Sequence, residues 1–256
     1  MPAPGPSAVS PAAPVAEAGL ARLAGLAPSA VLRRRLERAG PLLAEVSAAR
    51  ARPDLNSPLW AALLDAVTVQ ETRLFRAAPQ LLALAALLPA LPGPPLRLLS
   101  AGCATGEEAW SLAVLAAAAG LKAEVLGLDL CRPALAAAEA ARFPAGPPDA
   151  LREVPPELRG WFRRDGDRVT PRPEVTPPAF RRANLLDLPP ALGPFGAVLC
   201  RNVLIYLLPE ARTAVLRALV DHLPPGGALL LGPTDSPGPG LPLAPEPGAP
   251  GIWRRL

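Results

Sequence analysis

The chain has 256 residues, 50% of them hydrophobic, with 26 basic against 22 acidic side chains and a net charge of +4. That length accommodates one α/β core with a smaller accessory region, and so mild a charge without a long basic run argues against nucleic acid as a partner. Cys103, Cys131 and Cys200 are scattered and lack C-x-x-C spacing, which points to a reducing, cytoplasmic setting, and the single His222 excludes most histidine-based metal sites.

Residues 1–16, rich in Pro and Ala and lacking a basic start, read as a disordered tail and not as a signal peptide. Residues 17–92 read as a small all-helical subdomain. Its apolar residues recur at helical spacing through Leu20, Leu23, Leu26, Val31, Leu32 and Leu36, with breaks near Pro28 and Pro41, and amphipathic runs follow over 59–69 and 80–88. Arg33, Arg34, Arg35 and Arg38 are either a solvated helix face or a docking surface for an acidic partner. The most apolar stretch, 81–91, is too short to span a bilayer and contains Pro89, so no membrane insertion is expected.

From residue 93 the pattern becomes β-α-β, which predicts a Rossmann-like parallel sheet with helices on both faces. A buried strand over 96–100 leads into a turn with Gly102 and Gly106, then a helix over 107–119 and a strand over 123–128 ending at Asp129. Pro133 suits the first turn of the next helix. A hairpin insertion is expected over 161–175, turning at Asp165 and Gly166. Strands over 179–183 and 195–200, a helix from Pro209 to about His222 and a strand over 228–231 complete the α/β pattern. Residues 232–250 form a Pro/Gly-rich stretch, and 251–256 return as a terminal strand. Trp60 and Trp110 lie on apolar helix faces and are expected in the core.

The turn Ala101-Gly102-Cys103-Ala104-Thr105-Gly106 lies where open α/β sheets bind ligands, but its glycines do not match the dinucleotide pattern G-x-G-x-x-G. Glu107 and Glu108 then open the helix. Carboxylates there suit the helix macrodipole and would repel a pyrophosphate, whereas a ligand with ammonium and sulfonium groups fits. Asp129, ending the second strand, is placed to accept hydrogen bonds from ribose hydroxyls. These features point to S-adenosyl-L-methionine.

Four blocks in order carry a family resemblance: Glu71-Thr-Arg-Leu-Phe-Arg76, Leu99-Ser-Ala-Gly-Cys-Ala-Thr-Gly-Glu-Glu108, Asn184-Leu-Leu-Asp187 and Cys200-Arg-Asn-Val-Leu-Ile-Tyr206. The chain resembles the CheR-type chemotaxis protein-glutamate O-methyltransferases, which are class I S-adenosylmethionine-dependent enzymes, from about Leu59 to Leu231. The resemblance implies a cofactor cap over Gln70, Thr72 and Arg76, contacts to the methionyl end from Glu107, Arg201 and Asn202 beside the turn at Gly102, and a ribose contact from Asp129. It further implies adenine contacts from Asn184 and Leu185, and a place for Tyr206 beside the transferred methyl group. Departures from the family pattern are Gln70 for Asn, Leu74 for the first Phe of the cap, and Gly232-Pro-Thr-Asp235 for G-H-S-E.

The implied partner is a chemoreceptor or similar signalling protein methylated on glutamates, by a monomer and without metal. A glutamate acceptor is already ionised at neutral pH, so Arg76 and Tyr206 are expected to position the acceptor and not to move protons. Two alternatives stay open: a family member acting on another protein or a small carboxylic acid, and a non-catalytic module binding S-adenosylmethionine or S-adenosylhomocysteine.

Overall fold

The structure, a computed structural model, describes residues 13–49, 52–93 and 95–256. The described residues divide into two compact units: those within 1–68 together with 206–211, and those within 69–205 together with 212–256.

Within the first unit, the described residues form α1 (Ala13–Ala24), α2 (Ala30–Arg38), α3 (Gly40–Ala49) and α4 (Pro58–Val67). Helix α1 begins inside the stretch expected as a tail, of which residues 1–12 lie outside the described residues. The reason is local: Pro14 falls in the first turn, where its missing N–H costs nothing, and Ala16 and Leu20 are fully buried. The expected break near Pro41 falls at Ala39, between α2 and α3, and Pro41 sits in the first turn of α3 by the same rule. Helix α2 is capped by the Ser29 hydroxyl, which accepts from Leu32 N at 3.1 Å. Gly19 leaves room for the Trp60 ring, one atom of which would lie 2.0 Å from a Cβ at that position, and Trp60 is buried as expected. Of the arginine group, Arg33 pairs with Glu17 at 3.3 Å and Arg35 donates to the Thr68 carbonyl at 3.0 Å.

The second unit is built on a seven-stranded sheet. Its strands are β1 (Leu96–Ala101), β2 (Ala123–Asp129), β6 (Ala179–Arg182), β7 (Ala197–Cys200), β8 (Ala228–Leu231), β9 (Leu243–Pro245) and β10 (Ile252–Arg255). They lie in the order β6-β2-β1-β7-β8-β10-β9. The first five are parallel, and β10 runs antiparallel to both β8 and β9. This is the expected Rossmann-like class I methyltransferase sheet, with one addition: the Pro/Gly-rich stretch contains β9. A hairpin therefore closes the edge where a dinucleotide-binding sheet carries a single parallel strand.

Strands β1, β7 and β8 are almost wholly buried, as a sheet covered on both faces requires. Leu98, Ala197, Leu199, Ala228, Leu230 and Ile252 share one core with residues of α5 (Ala78–Leu87) and α6 (Glu107–Ala118). The alternate residues Leu99, Val198 and Leu229 are equally buried and belong to the opposite face. Helix α7 (Arg132–Ala140), with Pro133 in its first turn, packs on β2 and β6. Helix α8 (Pro209–Asp221) ends beside His222, whose ring nitrogens lie 2.6 Å from the Ala218 carbonyl and 3.0 Å from that of Pro189.

Two boundaries differ from the sequence reading. Residues 69–92 were expected with the helical subdomain, but Leu74, Phe75, Leu81 and Leu84 are buried in the α/β core, so the cap segment and α5 belong to the sheet unit. The hairpin of β4 (Phe162–Asp165) and β5 (Arg168–Pro171) turns at Gly166 and Asp167, one residue later than expected. Gly166, at φ 56°, is the residue that can take the first loop position of a primed turn. A short β3 (Phe143–Pro144) pairs with β5 and makes this insertion a three-stranded sheet.

Candidate functional site

Strand order reverses at β1, whose neighbours β2 and β7 lead the chain outward in opposite directions. The crevice beyond the carboxyl ends at such a reversal is where open α/β sheets place ligands. Asp129, the turn after Ala101 and the pair Arg201-Asn202 therefore stand side by side at the ends of β2, β1 and β7.

The turn is shaped by packing. Gly102 has φ 81°, and a Cβ there would stand 2.3 Å from Val203 Cγ2. Gly106 has φ 89°, and its Cβ would stand 2.6 Å from that of Ala138. The two glycines thus let the turn nest between the β7 loop and α7. For Gly102, expected as a cofactor contact, the close neighbour is Val203.

Asp129 organises the same turn. Its carboxylate accepts from Ala104 N at 2.8 Å and Cys131 N at 2.9 Å. Glu107 stands in the first turn of α6, where its Oε2 accepts from the Thr105 hydroxyl at 2.7 Å. Neighbouring Glu108 points into a buried network. It accepts from the Ser100 hydroxyl at 2.7 Å and pairs with Arg201 at 3.3 Å. The Arg201 guanidinium also donates to the Arg76 carbonyl.

Burial pushes the Asp129 carboxyl above the ordinary carboxylate range against the pull of its N–H partners, and it pushes Glu107 up against the Thr105 hydrogen bond. The consequence has a definite sign. A carboxyl with a raised folded-state pKa takes up protons more readily folded than unfolded, so the unliganded protein gains stability as pH falls into the window just above the ordinary range. That contribution is lost as pH rises through the raised values. A cationic ligand needs the ionised carboxylates, so its affinity has the opposite slope. Melting temperature and S-adenosylmethionine affinity, measured from about pH 8 to about pH 5, are expected to move in opposite directions in this window; parallel slopes would show that the two carboxylates do not face the ligand.

The cap segment reaches the same unit through Phe75 and Arg76. Phe75 is fully buried, and its N–H donates to the Ser111 hydroxyl at 2.9 Å. Arg76 turns back on the cap, donating to the Glu71 carbonyl at 2.9 Å. Gln70 and Thr72 lie partly exposed on the irregular segment that leads into this turn. Asn184 forms a turn just past β6, its side-chain oxygen accepting from Leu186 N at 3.2 Å, with Leu185 half-buried in the turn. Asn202 sits at φ 60°, a left-handed conformation that Asn tolerates better than most residues. Tyr206 falls in the helical unit, where its carbonyl accepts from Ala27 N at 2.8 Å. Sequence reasoning missed Ser100, Ser111 and the inward role of Glu108. Ser111 shows in the sequence as a polar residue inside an apolar helix, and Ser100 and Glu108 lie within the Leu99–Glu108 block.

The three cysteines are buried and none is in a disulfide, and burial pushes the Cys103 and Cys200 thiols up, which suits unreactive core groups. Among the described residues no cluster of His, Cys, Asp and Glu could hold a metal ion, and no helix is long and apolar enough to cross a membrane.

The donor set fits S-adenosylmethionine. Glu107 and Asp129 offer anionic acceptors for an ammonium and a ribose diol. Arg201, with its side chain 3% exposed, keeps Nε–H without a hydrogen-bond partner among the described residues, a donor suited to a carboxylate.

Residues 70–237 match the family model described as CheR methyltransferase, SAM binding domain. A chemotaxis protein methyltransferase of Vibrio parahaemolyticus is 34% identical over 206 residues, covering 76% of this chain and 73% of its own. Chemotaxis protein methyltransferase 1 of Pseudomonas aeruginosa is 34% identical over 193 residues, covering 68% of this chain and 69% of its own. A probable biofilm formation methyltransferase, WspC of Pseudomonas putida, is 36% identical over 190 residues, covering 68% of this chain and 43% of its own.

Proposed function

Because the chain belongs to the CheR methyltransferase family, we propose that it esterifies glutamate side chains of a chemoreceptor-like helical bundle with methyl groups from S-adenosylmethionine. The observation that carries the cofactor half is the arrangement of Glu107, Asp129 and the spare Nε–H of Arg201 at one end of the sheet. Glutamate as acceptor draws its support from the relatives named as chemotaxis methyltransferases.

In this reading Glu107 holds the cofactor's ammonium, Asp129 its ribose, and Arg201 with Asn202 its carboxylate end. Asn184 and Leu185 border the adenine, the turn at Gly102 passes beneath, and Gln70, Thr72 and Arg76 cap the site. The bound cofactor supplies a methyl group on a positively charged sulfur. The protein's task is to bring a carboxylate oxygen in line with it, and no proton has to be moved. Charge is neutralised as the bond forms, so excluding water favours the reaction, and the rest is orientation. Arg76 orients the acceptor carboxylate; Tyr206 has the same role on the strength of the family resemblance. The enzyme acts as a cytoplasmic monomer without metal.

Transfer of tritiated methyl groups to membranes with and without chemoreceptors tests the reading. Base-labile label on a receptor-sized band is expected, reduced about 100-fold or more in Arg76→Ala and Tyr206→Phe together while S-adenosylhomocysteine still binds. Label confined to small molecules would favour a relative acting on free carboxylic acids, and binding without transfer to either would leave a cofactor-binding module.

A further inference from the structure

The turn Leu74–Ala77 carries two residues other than glycine in the left-handed region, Phe75 at φ 56° and Ala77 at φ 53°. Such backbone is unfavourable for residues with a Cβ and persists only when its surroundings hold it. Two polar anchors hold it here, beside the burial of Leu74 and Phe75. Phe75 N donates to Ser111 Oγ at 2.9 Å, and Ser111 in turn donates to the Glu107 carbonyl one turn back along α6 at 2.6 Å. The Arg76 carbonyl receives Arg201, whose guanidinium is fixed by Glu108, itself braced by Ser100. Ser111 and Ser100 are fully buried.

We propose that Ser111 and Glu108 are positioning residues that clamp this strained turn at Phe75 and Arg76, and so set where the Arg76 guanidinium stands for methyl transfer. They act through the backbone and touch neither cofactor nor acceptor. The inference rests on the role given to Arg76 above, and the clamp itself is read independently of it. Ser111, and Glu108 that fixes Arg201 from the end of β7, both stand in the first turns of α6, the helix whose opening carboxylate faces the cofactor in that reading. The same helix therefore ties cap geometry to cofactor geometry.

Amide hydrogen exchange, S-adenosylhomocysteine calorimetry and methyl-transfer kinetics on Ser111→Ala, Glu108→Gln and Ser100→Ala test the clamp. Ser111→Ala is expected to speed exchange at Phe75, Arg76 and Ala77 by about tenfold, the equivalent of one buried hydrogen bond, with β1 and β7 amides unchanged. Its kcat should fall by about tenfold or more with a smaller change in KM for the cofactor. Glu108→Gln should do the same more weakly, and Ser100→Ala more weakly still. Unchanged exchange at Phe75 to Ala77 in both Ser111→Ala and Glu108→Gln overturns the clamp. Faster exchange with unaltered kcat overturns its link to Arg76. Failure of the unsubstituted protein to bind S-adenosylhomocysteine counts against the cofactor reading instead, and leaves the exchange result standing on its own.

Discussion

Replacing Arg201 with Ala is expected to lower folding stability by about 3 to 5 kcal/mol, the usual cost of removing one member of a buried ion pair. The side chains of Arg201 and Glu108 are 3% and 13% exposed, so the orphaned carboxylate has little access to water. Among the described residues it would keep only the Ser100 hydroxyl as a partner, and the Arg76 carbonyl would lose the Arg201 donor as well. Urea midpoints measure the loss. A double variant with Met at both Arg201 and Glu108 should recover at least half of it, because an apolar pair pays no desolvation penalty. A single-variant loss below about 1 kcal/mol would place the pair among surface ion pairs in its energetics.

Gly102→Ala is expected to cost about 2 to 5 kcal/mol, combining a left-handed residue with a Cβ and an overpacked contact. At φ 81° the backbone alone disfavours alanine, and the new methyl would meet Val203 Cγ2 at 2.3 Å. The two causes separate experimentally. Val203→Ala removes the clashing methyl, so the double variant should regain the packing part and keep the backbone part. Thermal or urea melts of the four proteins give the coupling. Additive losses would show that Gly102 is needed for its backbone alone.

Much of this architecture can be read from the chain itself, because its strands and helices obey simple periodicities. Apolar runs at β1, β7 and β8 bounded by turn residues marked central strands, and Pro133 marked the start of α7. The turn at the carboxyl ends of β1 and β2 was legible for the same reason: a Gly turn, a carboxylate-opened helix and an acid at the end of β2 are local signals. Other features depend on partners distant in sequence. Helix α5 reads as one more amphipathic helix, and only the core formed by Leu81 and Leu84 with Leu98 and Leu230 assigns it to the sheet unit. Ser111 looks like a polar interruption in an apolar helix until Phe75, 36 positions earlier, is found donating to it. Strand β9 is hidden by its composition, since prolines at 242 and 245 argue against a strand except at a sheet edge, and the edge is where it lies.

The position of β10 bears on how the molecule is made. It lies between β8 and β9, yet among these strands it is the last to be synthesised. A nascent chain that has completed β8 has an open flank there until Ile252 to Arg255 have left the ribosome, and β9 has no neighbour to join before then. An apolar strand such as Ala228–Leu231 with one side unpaired is a ready template for association with other chains. Chaperone dependence during synthesis should therefore concentrate on this brief interval, and its length is set by the proline-rich segment that the ribosome must translate to reach β10.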